Sequence, residues 1–180
     1  HNPSQIKRVL DAGAKGIIAP MVETGDQIKA VIEACYYPPN GKRGMGLARG
    51  QGYGALEKKN SYIKSGCSEI EIFAQIESLE AVKNLSSIFA HPINGYFIGP
   101  YDLSASMGSP GKFDTEEFKN IESIILNAAK KFHLKAGYHL VEPVVEDIKK
   151  LSNFGYEMIA YSVDIRMLDT VARSAMQAHE

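Results

Sequence analysis

Two carboxylates occupy matching places in the chain, each just past a short apolar run. Glu77 closes Gln75-Ile76-Glu77 after the run Ile70, Ile72, Phe73, Ala74, and Asp102 lies in Gly99-Pro100-Tyr101-Asp102-Leu103-Ser104 after Gly95-Tyr96-Phe97-Ile98. If the two runs are adjacent parallel strands, their C-terminal ends bring the carboxylates together. An all-oxygen pair with open positions suits Mg²⁺ or Mn²⁺ held jointly by protein, water and substrate. The alternative is that both are helix-capping acids, favourable near a positive helix N-terminus. Gly99 tips the balance toward a site, because a residue without Cβ lets the backbone approach a ligand where an oxyanion would sit.

Other residues are open to two readings. His139, near the end of the run Lys135 to Leu140, is either a structural histidine or a pocket-lining one at a strand end. Asp164 is a cap for the last helix or a site-facing acid, with the cap favoured. Lys15, Lys42 and Lys135 read as solvated charges, although Lys42 lies in a glycine-rich loop and could touch substrate there. Tyr96, Tyr138 and Tyr161 read as core or wall residues. The loop's Gly44-Met45-Gly46-Leu47-Ala48-Arg49 lacks the third glycine of a dinucleotide fingerprint, and no GK[ST] follows, so nucleotide binding is a poor reading.

The elements that would position these groups alternate. Asn2-Pro3 caps a helix carrying Ile6, Val9 and Leu10 up to Gly13. Gly16 to Met21 reads as a strand, and Thr24 with Gln27 caps the helix of Ile28, Val31 and Ile32. From Tyr36 to Gly54, two prolines and six glycines interrupt every period, and loops this long are usually functional. Strands follow at Glu69 to Ile76, Gly95 to Gly99, Lys135 to Leu140 and Tyr156 to Ser162. Helices are expected from Ser78 to Phe89, from Asp114 to about Phe132, from Pro143 to about Asn153, and from Asp164 or Ile165 onward. Strand and helix in alternation predict a parallel sheet with helical crossovers, either an open doubly wound sheet or a barrel. Five strands and a leading helix match the last five-eighths of an eight-stranded barrel, whose usual length is about 250 residues.

Composition bounds the class. Of 180 residues, 44% are hydrophobic and 23% charged, values that exclude disorder and fit one domain. With 20 Lys+Arg against 21 Asp+Glu, there is no electrostatic footprint for a nucleic acid or an anionic membrane. No run approaches the roughly 18 apolar residues of a membrane helix. Cys35 and Cys67 are too few for a disulfide framework and are read as reduced thiols, which fits the cytoplasm. The opening His1-Asn2-Pro3-Ser4 has neither a signal-peptide core nor an initiator Met and reads as the inside of a longer chain.

Taken together, Pro20-Met21-Val22, Tyr37-Pro38-Pro39-Asn40-Gly41-Lys42-Arg43-Gly44, Gln75-Ile76-Glu77, Gly99 to Gly108 and Ser162-Val163-Asp164 resemble the HpcH/HpaI aldolase family, collinearly over the chain. The resemblance implies a (β/α)₈ TIM barrel of which residues 1–180 form a single domain lacking roughly the first three βα units. It implies a class II aldolase that depends on a divalent metal (Mg²⁺, Mn²⁺ or Co²⁺), acting on 4-hydroxy-2-oxo acids next to a pyruvate enolate. Glu77 and Asp102 would be the metal ligands. Gln75 and the backbone around Gly99 and Tyr101 would bind pyruvate, and Arg43 would contact an anionic substrate from a loop by the site's mouth or else form a structural salt bridge. The family's general base and pyruvate-orienting arginine would lie before His1, so residues 1–180 alone are expected to be inactive. The partners implied are a 2-oxo acid and an aldehyde. The terminal helix bears Ile165, Met167, Leu168, Val171, Ala172 and Met176 on more than one flank and should pack on another subunit, and the family's hexamers exchange this helix. The competing functions are an acyl-CoA lyase of the citrate lyase beta type and a non-catalytic ligand-binding module.

Overall fold

The computed structural model describes residues 2–55, 57, 60–62 and 69–177, so Cys67 lies outside the described residues. Strands β1 (Gly16–Ala19), β2 (Glu71–Ile76), β3 (Gly95–Ile98), β4 (Lys135–Leu140) and β5 (Met158–Tyr161) form one sheet in the order β1-β2-β3-β4-β5. Every neighbouring pair is parallel. Sequential parallel strands require crossovers, and the helices between them supply these: α1 (Pro3–Asp11) before β1, α2 (Gly25–Cys35) after it, α3 (Leu79–Lys83) and α4 (Leu85–Phe89), α5 (Pro100–Ser106) and α6 (Glu116–Lys131), α7 (Val145–Phe154), and α8 (Asp164–Gln177).

The expected caps form where short polar side chains precede apolar stripes. Asn2 Oδ1 accepts the Ser4 N–H at 2.9 Å, and Thr24 with Gln27 completes a capping box on α2. Most other boundaries fall within two residues of expectation, and three departures matter more. The single helix predicted from Ser78 breaks at Asn84, whose amide reaches the Glu23 carbonyl at 2.9 Å. The N-cap of α6 is Thr115, which accepts the Phe118 N–H at 3.2 Å, and not Asp114. Residues 100–106, for which no helix was expected, form the short helix α5, with proline in its first turn as helix starts allow.

Alternation along the strands sorts the sheet into two faces. Ile72, Ala74, Ile76, Tyr96, Ile98, Ala136, Tyr138 and Leu140 join the core beneath the helices. Phe73, Gln75, Phe97 and His139 point to the opposite face, where Phe73 and Phe97 meet edge to face at 5.7 Å. Gly137 leaves room for the Phe97 ring, since a Cβ there would come within 2.7 Å of it. At the lower end of that face Lys135 reaches across β3 to Glu71 at 3.2 Å.

Candidate functional site

Register fixes the first part of the site. Gln75 pairs with Phe97 and Ile76 with Ile98, so Glu77 and Gly99 leave β2 and β3 side by side. Glu77 is 4% exposed. Its Oε1 accepts the Met21 N–H at 2.6 Å and its Oε2 accepts the Gln75 amide at 2.7 Å. Met21 holds a left-handed φ of 50° just past β1, a conformation that costs energy in a non-glycine residue and tends to persist at functional sites. That turn aims its N–H at the carboxylate.

The need for glycine at position 99 is local. A Cβ there would collide with Glu77 Oε2 and lie 2.8 Å from Gln75 Nε2, so the bare backbone makes room for the carboxylate itself. Asp102 sits exposed in the first turn of α5. Burial pushes the Glu77 carboxyl above its ordinary range and the negative charge of Asp102 adds to the rise, against the Met21 and Gln75 hydrogen bonds that oppose it. Among the described residues no cationic side chain pairs with either acid, nor does Glu77 cap α3, whose cap is the Ser78 hydroxyl on the Ala81 N–H.

Two like charges converging without a counter-cation, one of them desolvated, form a donor set suited to a hard divalent ion. Each Glu77 oxygen keeps a lone pair beyond the hydrogen bond it accepts. Among the described residues there is no cluster of three or more His, Cys, Asp and Glu, so an ion here would complete its shell with water and substrate oxygens.

Tyr101 is 42% exposed beside this pair. Its ring stands edge-on to Phe113 at 5.0 Å, and its hydroxyl lies 3.4 Å from Glu142 Oε1. Glu142 is gripped by Arg166, from Nη2 at 2.7 Å and Nε at 3.1 Å, and Arg166 also binds Asp169 at 2.7 Å. The sequence reading missed Glu142 and Arg166. The available signal was position, since both lie just beyond β4 or β5, at the end of the sheet that carries Glu77.

Arg43 is not at this site. Its side chain has no exposure, and it binds Asp11 Oδ1 at 2.6 Å and the Tyr62 hydroxyl at 2.8 Å, with the Cys35 carbonyl at 3.4 Å. Its guanidinium also lies over the Tyr37 ring, 4.9 Å from the centroid. Asp11 and Cys35 end α1 and α2, so the glycine-rich loop sits where strands begin, at the end of the sheet opposite Glu77. The physical reason is connectivity: the loop follows a helix, and a helix that follows a strand runs back to that lower end. The expected substrate contact by Arg43 is therefore corrected to a structural one. Lys42 likewise pairs with Glu33 at 2.6 Å, away from the site. Lys15 and Lys135 form exposed ion pairs with Glu69 and Glu71. His139 lies half-buried on the face that carries Gln75, and Asp164 is the first residue of α8, its carboxylate accepting the adjacent Ile165 N–H at 2.7 Å rather than capping from outside the helix.

The family model for HpcH/HpaI aldolase/citrate lyase matches residues 1–170. The chain is 31% identical, over its full length, to a hydroxypyruvate/pyruvate aldolase of Chromohalobacter salexigens, of which it covers 70%. It is 36% identical, over 91% of its length, to a 2-keto-3-deoxy-L-rhamnonate aldolase of Klebsiella pneumoniae, of which it covers 60%. A crystal structure of an HpcH/HpaI aldolase/citrate lyase family protein from Burkholderia cenocepacia superposes with a TM-score of 0.88 at 27% identity, covering 98% of this chain and 69% of that one.

Proposed function

The chain belongs to the HpcH/HpaI aldolase/citrate lyase family, and on that footing we propose that it serves a divalent-metal-dependent aldolase, joining or splitting pyruvate and an aldehyde in 4-hydroxy-2-oxo acids. The observation that carries the reading is a buried Glu77 and an exposed Asp102 at neighbouring strand ends, close enough for the Asp102 charge to act on Glu77, with no cationic side chain paired to either among the described residues. Relatives named as a hydroxypyruvate/pyruvate aldolase and a 2-keto-3-deoxy-L-rhamnonate aldolase, at 31% and 36% identity, support the aldolase part of it.

Glu77 and Asp102 would hold the ion (Mg²⁺, Mn²⁺ or Co²⁺). When bound, it supplies Lewis-acid polarisation of the 2-oxo acid carbonyl. Gln75 holds the Glu77 carboxylate in place through its amide. The backbone at Gly99 and Tyr101, where α5 begins, would receive the pyruvate carboxylate, and Tyr101 would wall the aldehyde side. Glu142 and Arg166 would brace Tyr101 from behind.

The same reading completes the five strands to a (β/α)₈ barrel in which residues 1–180 are one domain, with about three βα units ahead of β1. Ile18 of β1, 47% exposed on an unpaired edge strand, supports that completion. The general base and a pyruvate-orienting arginine would come from those units, in a cytoplasmic enzyme. Pyruvate release from a 4-hydroxy-2-oxo acid by the full-length protein, with and without EDTA, tests the function. Turnover that stops with EDTA and returns with Mn²⁺ is expected; metal-independent or absent turnover sinks the reading.

Self-association belongs to the proposal as well. None of α8 is buried, and Ile165, Leu168, Val171 and Met176 are each 69–73% exposed. An apolar stripe of this kind marks a contact surface, here one for a second copy, with a hexamer as the assembly. Sedimentation at micromolar concentration should show an oligomer that Leu168→Glu with Val171→Glu dissociates. A wild-type monomer would contradict it.

A further inference from the structure

On the far side of the sheet from the candidate site's open face, α6 and α7 both stand over β4 and leave a cavity of about 370 Å³ between them. Phe113, Tyr138, Leu140 and Phe154 supply its apolar walls, and Glu122 lies within it. Glu122 is only 7% exposed. Its Oε1 accepts the Tyr156 hydroxyl at 2.8 Å, whereas its Oε2 makes no hydrogen bond among the described residues. Tyr138, 6% exposed, likewise makes no hydrogen bond among the described residues. The free Glu122 oxygen and the Tyr138 hydroxyl, on side chains that are otherwise buried, both open into this one cavity, where a bound group could pair with them.

We propose that this groove binds a small organic ammonium, a one-ring amine whose charge pairs with Glu122 and whose ring lies among Phe113, Tyr138 and Phe154. The cavity has room for about ten non-hydrogen atoms, at roughly 30 Å³ for each water-sized group. Charge favours a cation, since Lys150 and Asp147 pair with each other at 2.6 Å and leave Glu122 and Asp114 against Lys119 among the lining residues. Aromatic faces add attraction for an ammonium group. Tyr138 can turn its hydroxyl oxygen to accept from the same ammonium. Burial pushes the Glu122 carboxyl to about 7 despite the Tyr156 hydrogen bond and the Lys119 charge, so the ionised form lacks a partner that an ammonium would provide.

The site does not depend on the proposed aldolase activity, and its test uses binding alone. 2-Phenylethylamine is titrated into the full-length protein and followed by NMR and calorimetry, beside 2-phenylethanol as the uncharged ring. The amine should saturate below about 10 mM, as a ligand of this size allows, and bind at least tenfold more tightly than the alcohol. Glu122→Gln should weaken the amine about tenfold, the loss expected when a charge-assisted hydrogen bond becomes a neutral one, and leave the alcohol unchanged. Tyr138→Phe, which keeps the ring and the packing, should weaken the amine several-fold and serves if the glutamine variant does not fold. Equal binding of amine and alcohol, amine affinity unchanged in a folded variant of either kind, or no saturation by wild-type protein overturns the proposal.

Discussion

If Asp102 is a metal ligand as proposed, Asp102→Ala should lower metal-dependent turnover by at least about 10³-fold while the protein keeps its fold. The magnitude follows from losing several kcal/mol of Lewis-acid stabilisation in the rate-limiting step, where each 1.4 kcal/mol is tenfold. The fold survives because Asp102 is exposed and makes no ion pair among the described residues. Glu77→Ala should have the same effect on rate and should also destabilise the protein. It strands the Met21 N–H and the Gln75 amide, which donate to the carboxylate at 2.6 and 2.7 Å. A stranded buried donor costs about 1–3 kcal/mol, so Glu77→Gln is the better-folded companion. The rise in the Glu77 carboxyl also sets a pH dependence. An ion binds the carboxylate and not the acid, so lowering the pH should weaken Mn²⁺ binding at a higher pH than for an ordinary glutamate. Mn²⁺ titrations followed by EPR check both points, and undiminished binding in the Glu77→Ala, Asp102→Ala double variant would refute the assignment.

The strands and their order were legible because each is a short apolar run bounded by glycine or polar residues, a pattern that depends on neighbours in sequence alone. The position of Glu77 and Asp102 followed from that order, since a parallel strand delivers what comes after it to one end of the sheet. What could not be read was long-range pairing. That Glu77 would spend one oxygen on the Met21 N–H, 56 residues earlier, requires the left-handed turn at Met21, and no local signal announces it. Gly99 was read as a place where the backbone approaches a ligand; in the structure the approaching atom is the Glu77 carboxylate, of a residue 22 positions earlier. The helix at α5 went unread because Gly99 to Ser104 was weighed for its carboxylate and its glycine, and seven residues are too few to show a helical period. The glycine-rich loop misled for a related reason. Its glycines lie against helix ends, with Gly50 close over the Leu10 carbonyl, and serve packing at the end of the sheet away from the acids. Arg43, in the same loop, has the residue type of an anion binder and the surroundings of a buried strut.

Those surroundings predict the second large effect, on stability. Arg43→Met should cost about 3 kcal/mol of folding free energy, because removing one member of a buried, hydrogen-bonded ion pair leaves its partner uncompensated. The Arg43 side chain is fully buried and that of Asp11 only 15% exposed, so solvent cannot take over the lost contact. Arg43→Lys should recover little, since an ammonium cannot bridge Asp11, Tyr62 and the Cys35 carbonyl together or stack on Tyr37 as a guanidinium does. Acid should expose the same contact. Burial alone would raise the Asp11 carboxyl, but hydrogen bonds from Lys7, Arg43 and Gln51 outweigh it and hold the group below its ordinary 3.8. A carboxyl depressed on folding contributes stability that is present above the unfolded value and lost as pH falls through the folded one. The wild-type advantage over Arg43→Met should therefore be full at neutral pH and shrink below about pH 4. Urea denaturation of both proteins at pH 7 and at pH 3 measures it, alongside KM for the 4-hydroxy-2-oxo acid. An unchanged denaturation midpoint with a raised KM would return Arg43 to the substrate; a lower midpoint with KM unaltered is the result that the Asp11–Arg43 contact demands.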